Sequence, residues 1–183
     1  AFSGKTKIVK FQDAFHGWYD HAFVGASKDN PQDGITANTR QDMILVPLHD
    51  IGAVERALQN NKDVAAVIFQ GNTVVLPSFL QQLREVTRQY GVILIFDEVV
   101  SGFRYAKGGC QDRFNVVPDL AALAKILAGG LPGGAVAGRA DIIDTVQEGK
   151  ISHPGTFNAN PLSAASGCTA LEIVATEPIN ATA

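Results

Sequence analysis

Short apolar runs, rich in β-branched residues, alternate along this chain with stretches whose apolar positions fall at helical spacing. No other feature narrows the fold as much. The runs are KIVKF (7 to 11), MILVPL (43 to 48), VAAVIF (64 to 69), VILIF (92 to 96) and GAVAG (134 to 138). Runs this short and continuous read as buried strands. The helical stretches are IGAVERALQ after Asp50, FLQQLREVTRQY after Ser78, ADIIDTVQ, and NPLSAASGCTALEIV. In the second of these Phe79, Leu80, Leu83 and Val86 share a face, Gln82, Arg84, Glu85 and Arg88 fall mostly on the solvated side, and Gly91 supplies the stop. Such a β-α-β alternation calls for an α/β fold of three layers, a mostly parallel sheet covered by helices on both faces. No internal repeat, low-complexity tract or long linker divides the chain.

With 183 residues, 46% of them hydrophobic, the chain can fill one ordinary domain core. A net charge of -3 spread along the sequence gives neither a basic stripe for nucleic acid nor an acidic tail, so a small-molecule ligand is expected. No apolar run reaches membrane-helix length, and AFSGKTKIVKF lacks a signal-peptide layout, which points to a cytoplasmic protein. Cys110 and Cys168 lack metal-type spacing and read as reduced thiols. The chain opens already entering a strand and stops at ATEPINATA soon after an apolar helix, as expected of a fragment of a larger protein.

Chemistry concentrates in three places. VILIF runs directly into Asp97 and Glu98, and in open parallel sheets ligands sit beyond the carboxyl ends of strands. Lys125 follows within LAALAKILAGG, where the residues from Ala121 to Leu127 should bury it. Burial disfavours the ammonium and makes the amine a better nucleophile, able to form a Schiff base with a carbonyl. A snorkelling or salt-bridged structural lysine is the alternative. Gly129, Gly130, Gly133 and Gly134 then make a loop that backbone can use to approach a ligand, or an ordinary turn. Last, His153, Gly155, Thr156, Asn158 and Asn160 cluster before a helix that Pro161 opens, where amides and a hydroxyl can hold a phosphate. Taken alone, that segment is also an ordinary helix start.

One cofactor uses all three places. Pyridoxal 5'-phosphate brings an aldehyde for the lysine, a basic ring nitrogen for the acid, and a phosphate. A dinucleotide-binding oxidoreductase would need a G-x-G-x-x-G turn after the first strand, where QDAFHGW stands instead. A metal site built from His16, His21, His49, His153, Asp97 and Glu98 lacks ligand spacing.

The segments AFHGWYDHA, LIFDEVVSGFR, LAKILAGGLPGGAVAGR and HPGTFNANPLSAA, in that order, resemble the class III aminotransferases. These are fold-type I pyridoxal-phosphate enzymes, and the wording is closest to the glutamate-1-semialdehyde 2,1-aminomutase-like branch. The resemblance implies that residues 1 to 183 are the central part of the large cofactor-binding domain. An amino-terminal segment carrying a Gly-Ser/Thr phosphate turn would lie before Ala1, and a small carboxyl-terminal domain after Ala183. It makes Lys125 the Schiff-base lysine, Asp97 the partner of the pyridine nitrogen, and Val99 the residue against one face of the ring. Phe15, in the Phe15-His16-Gly17 segment, would stack on the other face, and Thr156 would reach the phosphate held by the neighbouring subunit of a homodimer. Glu98 and Arg104 would brace the loop after the strand.

The implied activity is aminotransferase, with intramolecular aminomutase transfer as the alternative and an inactive truncated remnant as a third reading. Two departures stand out: Phe15 occupies a position that is commonly tyrosine, and Gln70-Gly71 stands where the family has Glu-Pro and a longer connection. A substrate-carboxylate arginine is not singled out among Arg104, Arg113 and Arg139.

Overall fold

The computed structural model describes residues 1–27 and 32–181. They fall into two compact units, one of residues 3–95 and one of residues 96–183 with residues 1–2; the chain has a mostly parallel, mixed sheet flanked by helices.

The first unit contains, in chain order, β1 (Lys7–Phe11), α1 (Asp20–Phe23), α2 (Ala37–Gln41), β2 (Met43–Val46), α3 (Ile51–Asn60), β3 (Val64–Gln70), α4 (Pro77–Gln89) and the start of β4 (Ile93–Asp97). Its strands lie in the order β2-β1-β3-β4. The parallel register sets Val9 beside Ile44 on one side and Val67 on the other. β2 is shorter than its apolar run because Pro47 follows Val46 and has no N–H to give a ladder. In α3, Asp50 caps the first turn by accepting the Ala53 N–H at 2.8 Å, and Val54, Ala57 and Leu58 face inward. α4 starts with Pro77 in its first turn and buries Phe79, Leu80, Leu83 and Val86; Gly91, at φ +61°, ends it as expected.

The core of this unit is aromatic. Phe11 meets Phe69 and Phe79 edge-on, with ring centroids 6.0 and 5.7 Å apart, and His49 meets Phe79 at 5.6 Å. Full burial of rings and aliphatic side chains like these contributes about 2 kcal/mol each. Lys10 is fully buried as well, donating from Nζ to the Ala22 carbonyl at 2.7 Å and so tying α1 to the sheet. Burial pulls its pKa down to about 8. That burial is not legible in KIVKF, where a lysine in a five-residue run fits the solvated alternate position of a strand equally well.

The second unit begins with the last residues of β4 and continues through α5 (Gly109–Phe114), β5 (Leu120–Ala124), a 3-10 turn (Lys125–Ala128), β6 (Gly134–Gly138), α6 (Ala140–Gln147), α7 (Pro161–Thr176) and a short 3-10 turn (Ile179–Ala181). β4 neighbours β5, and the Glu98 N–H extends that contact by donating to the Ala122 carbonyl at 2.9 Å. β5 and β6 are antiparallel, with Leu120 opposite Gly138 and Ala124 opposite Gly134. β6 corrects one expectation: GAVAG forms its strand over the expected residues, but all five are exposed. The strand closes the sheet order, and among the described residues it pairs only with β5.

Candidate active site

Asp97 is the last residue of β4, only 8% exposed, and its Oδ1 accepts the Val99 N–H at 3.1 Å. That bond fixes the carboxylate's orientation and places Val99, half-buried, at the start of the following loop. Glu98 takes a separate role. It is 1% exposed; its Oε2 accepts the Ser101 hydroxyl at 2.8 Å and the Cys110 N–H at 2.7 Å, and its Oε1 accepts the Gln111 N–H at 3.2 Å. Those three bonds meet the cost of burying the carboxylate and hold the loop against the start of α5. The expected brace is thus present at Glu98. Arg104 takes part through its backbone, its side chain being exposed: Asn180 Nδ2 donates to the carbonyls of Phe103 and Arg104 at 2.9 and 3.0 Å. Lys107 ties the same loop to α7 by donating to the Ala175 carbonyl. Burial, and then the Glu98 charge, pushes the Cys110 thiol up to about 12, so it is an inert core thiol.

Lys125 follows the last residue of β5, the neighbour of β4. The expected burial is not found: Lys125 is exposed, and its neighbours Ala124, Ile126 and Leu127 are only half-buried. What distinguishes it is the backbone, at φ +53°, the left-handed region that a lysine rarely adopts. The turn is held in that state by close contact with α7. A Cβ on Gly129 would stand 2.5 Å from Ser166 Oγ, and one on Gly167 would stand 2.6 Å from the Leu127 carbonyl oxygen. Ser166 Oγ also donates to the Gly129 carbonyl at 3.0 Å. The glycine loop is therefore a packing surface for α7, a use the sequence did not distinguish from ligand approach.

The segment before α7 needs a second correction. Asn160 Oδ1 accepts the Leu162 and Ser163 N–H groups at 3.0 and 3.2 Å, and the Ala164 N–H goes to the Asn160 carbonyl. The first amides of the helix are thereby taken up by its own cap and are not offered to a phosphate. Thr156, in an exposed turn, keeps the hydroxyl that the resemblance assigns to that task. Asn158 Nδ2 donates to the His153 carbonyl at 3.0 Å and closes the segment on itself. Between this segment, the glycine loop and α7 lies an open cavity of about 660 Å³, lined by Gly133, Gly134, His153, Phe157, Cys168 and Leu171 among others. Lys125, Asp97 and Thr156 do not line it.

Two of the candidate arginines are engaged. Arg139 bonds Asp119 at 3.2 Å and Asp141 at 2.6 Å, which holds the Asp141 carboxyl below its usual range. The Arg113 guanidinium lies 5.6 Å from the centre of the Tyr105 ring and 5.9 Å from that of Phe114. Phe15, His16 and Gly17 belong to the first unit, in the loop between β1 and α1. Phe15 is 38% exposed there, and its N–H donates to Gln70 Oε1 at 3.1 Å.

A mostly parallel α/β chain with an acid closing one strand and a lysine following its neighbour is the layout of an enzyme domain that works at strand ends. The family model for aminotransferase class III matches residues 1–183, and the chain belongs to that family. The glutamate-1-semialdehyde 2,1-aminomutase of Methanocaldococcus jannaschii is 42% identical over 93% of this chain and 43% of its own length. An omega-transaminase from Sphaerobacter thermophilus superposes with a TM-score of 0.86 at 36% identity, over 93% of this chain and 44% of that one. A transaminase with PLP bound gives 0.86 at 28% identity, over 97% and 45%. The chain therefore spans under half the length of the proteins it matches.

Proposed function

We propose that this chain is the central part of the large domain of a pyridoxal-phosphate enzyme that moves an amino group, with Lys125 and Asp97 as its catalytic residues. The observation that carries the reading is the pair of strand ends: a nearly buried carboxylate closes β4, and a lysine in a strained, packed turn follows the neighbouring β5. This donor set suits a group with a basic ring nitrogen and an aldehyde. Family membership and a neighbour that holds PLP support the same reading.

When bound, pyridoxal phosphate supplies an aldehyde and a ring that accepts the electrons released as a substrate Cα–H bond breaks. Asp97 would be the carboxylate that holds a proton on the ring nitrogen. Lys125 Nζ would be the amine that holds the aldehyde carbon and, when free, the base that takes up or delivers a proton at substrate Cα. By the family resemblance Val99 would lie against the ring, Phe15, in a loop that His16 and Gly17 help shape, would be a stacking residue, and Thr156 would bind the phosphate held by a second copy. Phenylalanine in place of tyrosine keeps the stacking surface and gives up one hydroxyl.

The substrates are an amino acid or amine with a keto acid or aldehyde, and the setting is cytoplasmic; among the described residues no helix is long and apolar enough to cross a membrane. Aminotransferase is the first assignment. Intramolecular transfer is the second, favoured by the 42% identity to an aminomutase. Two assays separate them: glutamate 1-semialdehyde alone, and an amino donor with a keto-acid acceptor. Turnover of the first without the second assigns an aminomutase, turnover of the second an aminotransferase. Failure of solvent deuterium to enter substrate Cα in either would overturn the proposal.

A further inference from the structure

Phe15 sits in a stretch without regular backbone, yet it is held at two points. Its N–H donates to Gln70 Oε1 at 3.1 Å, and its ring meets Trp18 edge-on, with centroids 5.0 Å apart and planes at 70°. Trp18 in turn packs on Phe23 at 5.3 Å, and Phe23 closes α1. Gln70 is a firm point from which to reach. It ends β3, and its carbonyl is fixed by the Thr73 N–H at 3.0 Å, so its backbone is set from both sides. On the loop's own side, the Gln12 and Asp13 N–H groups go to the Val46 and Gly25 carbonyls and the Ala14 N–H goes back to the Phe11 carbonyl, so the Phe15 amide continues a run of fixed amides and is the one of these four that a side chain accepts.

We propose that Gln70 is a positioning residue: its side-chain oxygen sets the backbone of Phe15, and Trp18 then sets the ring, so that this aromatic is presented to the cofactor in one orientation. The proposal rests on the reading of Phe15 as a cofactor-stacking residue. It also gives the Gln70-Gly71 departure a content. A neutral amide oxygen is sufficient to accept the Phe15 N–H, and it does so without adding a negative charge to the loop. A glutamate at 70 would keep the acceptor; an aliphatic side chain would remove it.

The test is a set of variants of the protein, Gln70→Leu, Gln70→Glu, Phe15→Leu and the Gln70→Leu/Phe15→Leu double variant, each checked for folding by far-UV circular dichroism. Two quantities are read: Trp18 emission, isolated by difference against Trp18→Phe, and the Kd for pyridoxal phosphate. Gln70→Leu is expected to shift Trp18 emission and to raise the Kd about five-fold, the size of one neutral hydrogen bond. Gln70→Glu should restore both. The double variant should be no weaker than Phe15→Leu, because Gln70 acts through Phe15. Unchanged emission and Kd in Gln70→Leu, or additive losses in the double variant, would overturn the proposal. If the unsubstituted protein binds no pyridoxal phosphate, the cofactor reading falls, while emission still decides the Gln70 anchor.

Discussion

Asp97 and Glu98 are adjacent acids with different work, and the difference lies in what their oxygens meet. Glu98 is satisfied by a hydroxyl of its own loop and two amides at the start of α5, whereas Asp97 closes a strand at the carboxyl end, where ligands bind in open sheets. Asp97→Asn should leave pyridoxal phosphate bound but slow Cα deuterium exchange by about 100-fold or more, the loss expected when one preorganised charge is removed. Near-normal exchange would remove Asp97 from the mechanism. Lys10 carries a second prediction at this scale. Its ordinary value of 10.5 applies to the unfolded chain, and about 8 applies to the folded one. Below pH 8 both states are charged, and the folded state bears the full penalty of the buried ammonium. From 8 to 10.5 the unfolded chain binds more protons, so stability rises with pH, by at most about 3 kcal/mol. Urea midpoints measured across that window should climb in the native protein and lose that climb in Lys10→Met.

At the scale of elements, the contact between the Lys125 turn and α7 determines whether the lysine stands where it does. Gly167→Ala would press a methyl against the Leu127 carbonyl oxygen, a backbone atom with no rotamer to give, and should cost about 1 to 3 kcal/mol in urea denaturation while weakening cofactor binding. An unchanged Kd would separate α7 from the site. This contact was not legible in the sequence, where Gly129 and Gly167 stand apart and neither helical spacing nor hydropathy links them. β1, β2, β3, β4 and β6 were legible because β-branched runs or a flanking glycine mark them. β5 was not: LAALA has no β-branched residue and reads as helix, and it becomes a strand by pairing with β6. α3, α4 and α6 were clear from their apolar faces, α7 was marked by Pro161 and a long apolar run without one face, and α1, α2 and α5, of four to six residues, are too short for a period to show. Among the proposed site residues, the strand-end positions of Asp97 and Lys125 were legible in local sequence, but the exposure of Lys125 and the occupied amides at Asn160 were not, because both depend on side-chain direction.

For the whole molecule, the proposal of shared sites in a homodimer makes a prediction that no single subunit can satisfy. Protein carrying Lys125→Ala and protein carrying Thr156→Val should each bind pyridoxal phosphate poorly. Mixed dimers should regain one site of native Kd, formed by the intact lysine of one subunit and the intact threonine of the other; no recovery on mixing would place Thr156 outside the shared site. The central claim, that Lys125 is the residue that bonds the cofactor, is tested most directly by borohydride reduction of the protein with an equimolar amount of pyridoxal phosphate, followed by peptide mass mapping. The account predicts a phosphopyridoxyl group on the Lys125 peptide, missing in Lys125→Ala. A folded protein with no adduct at Lys125, or with the adduct on another lysine alone, would contradict it.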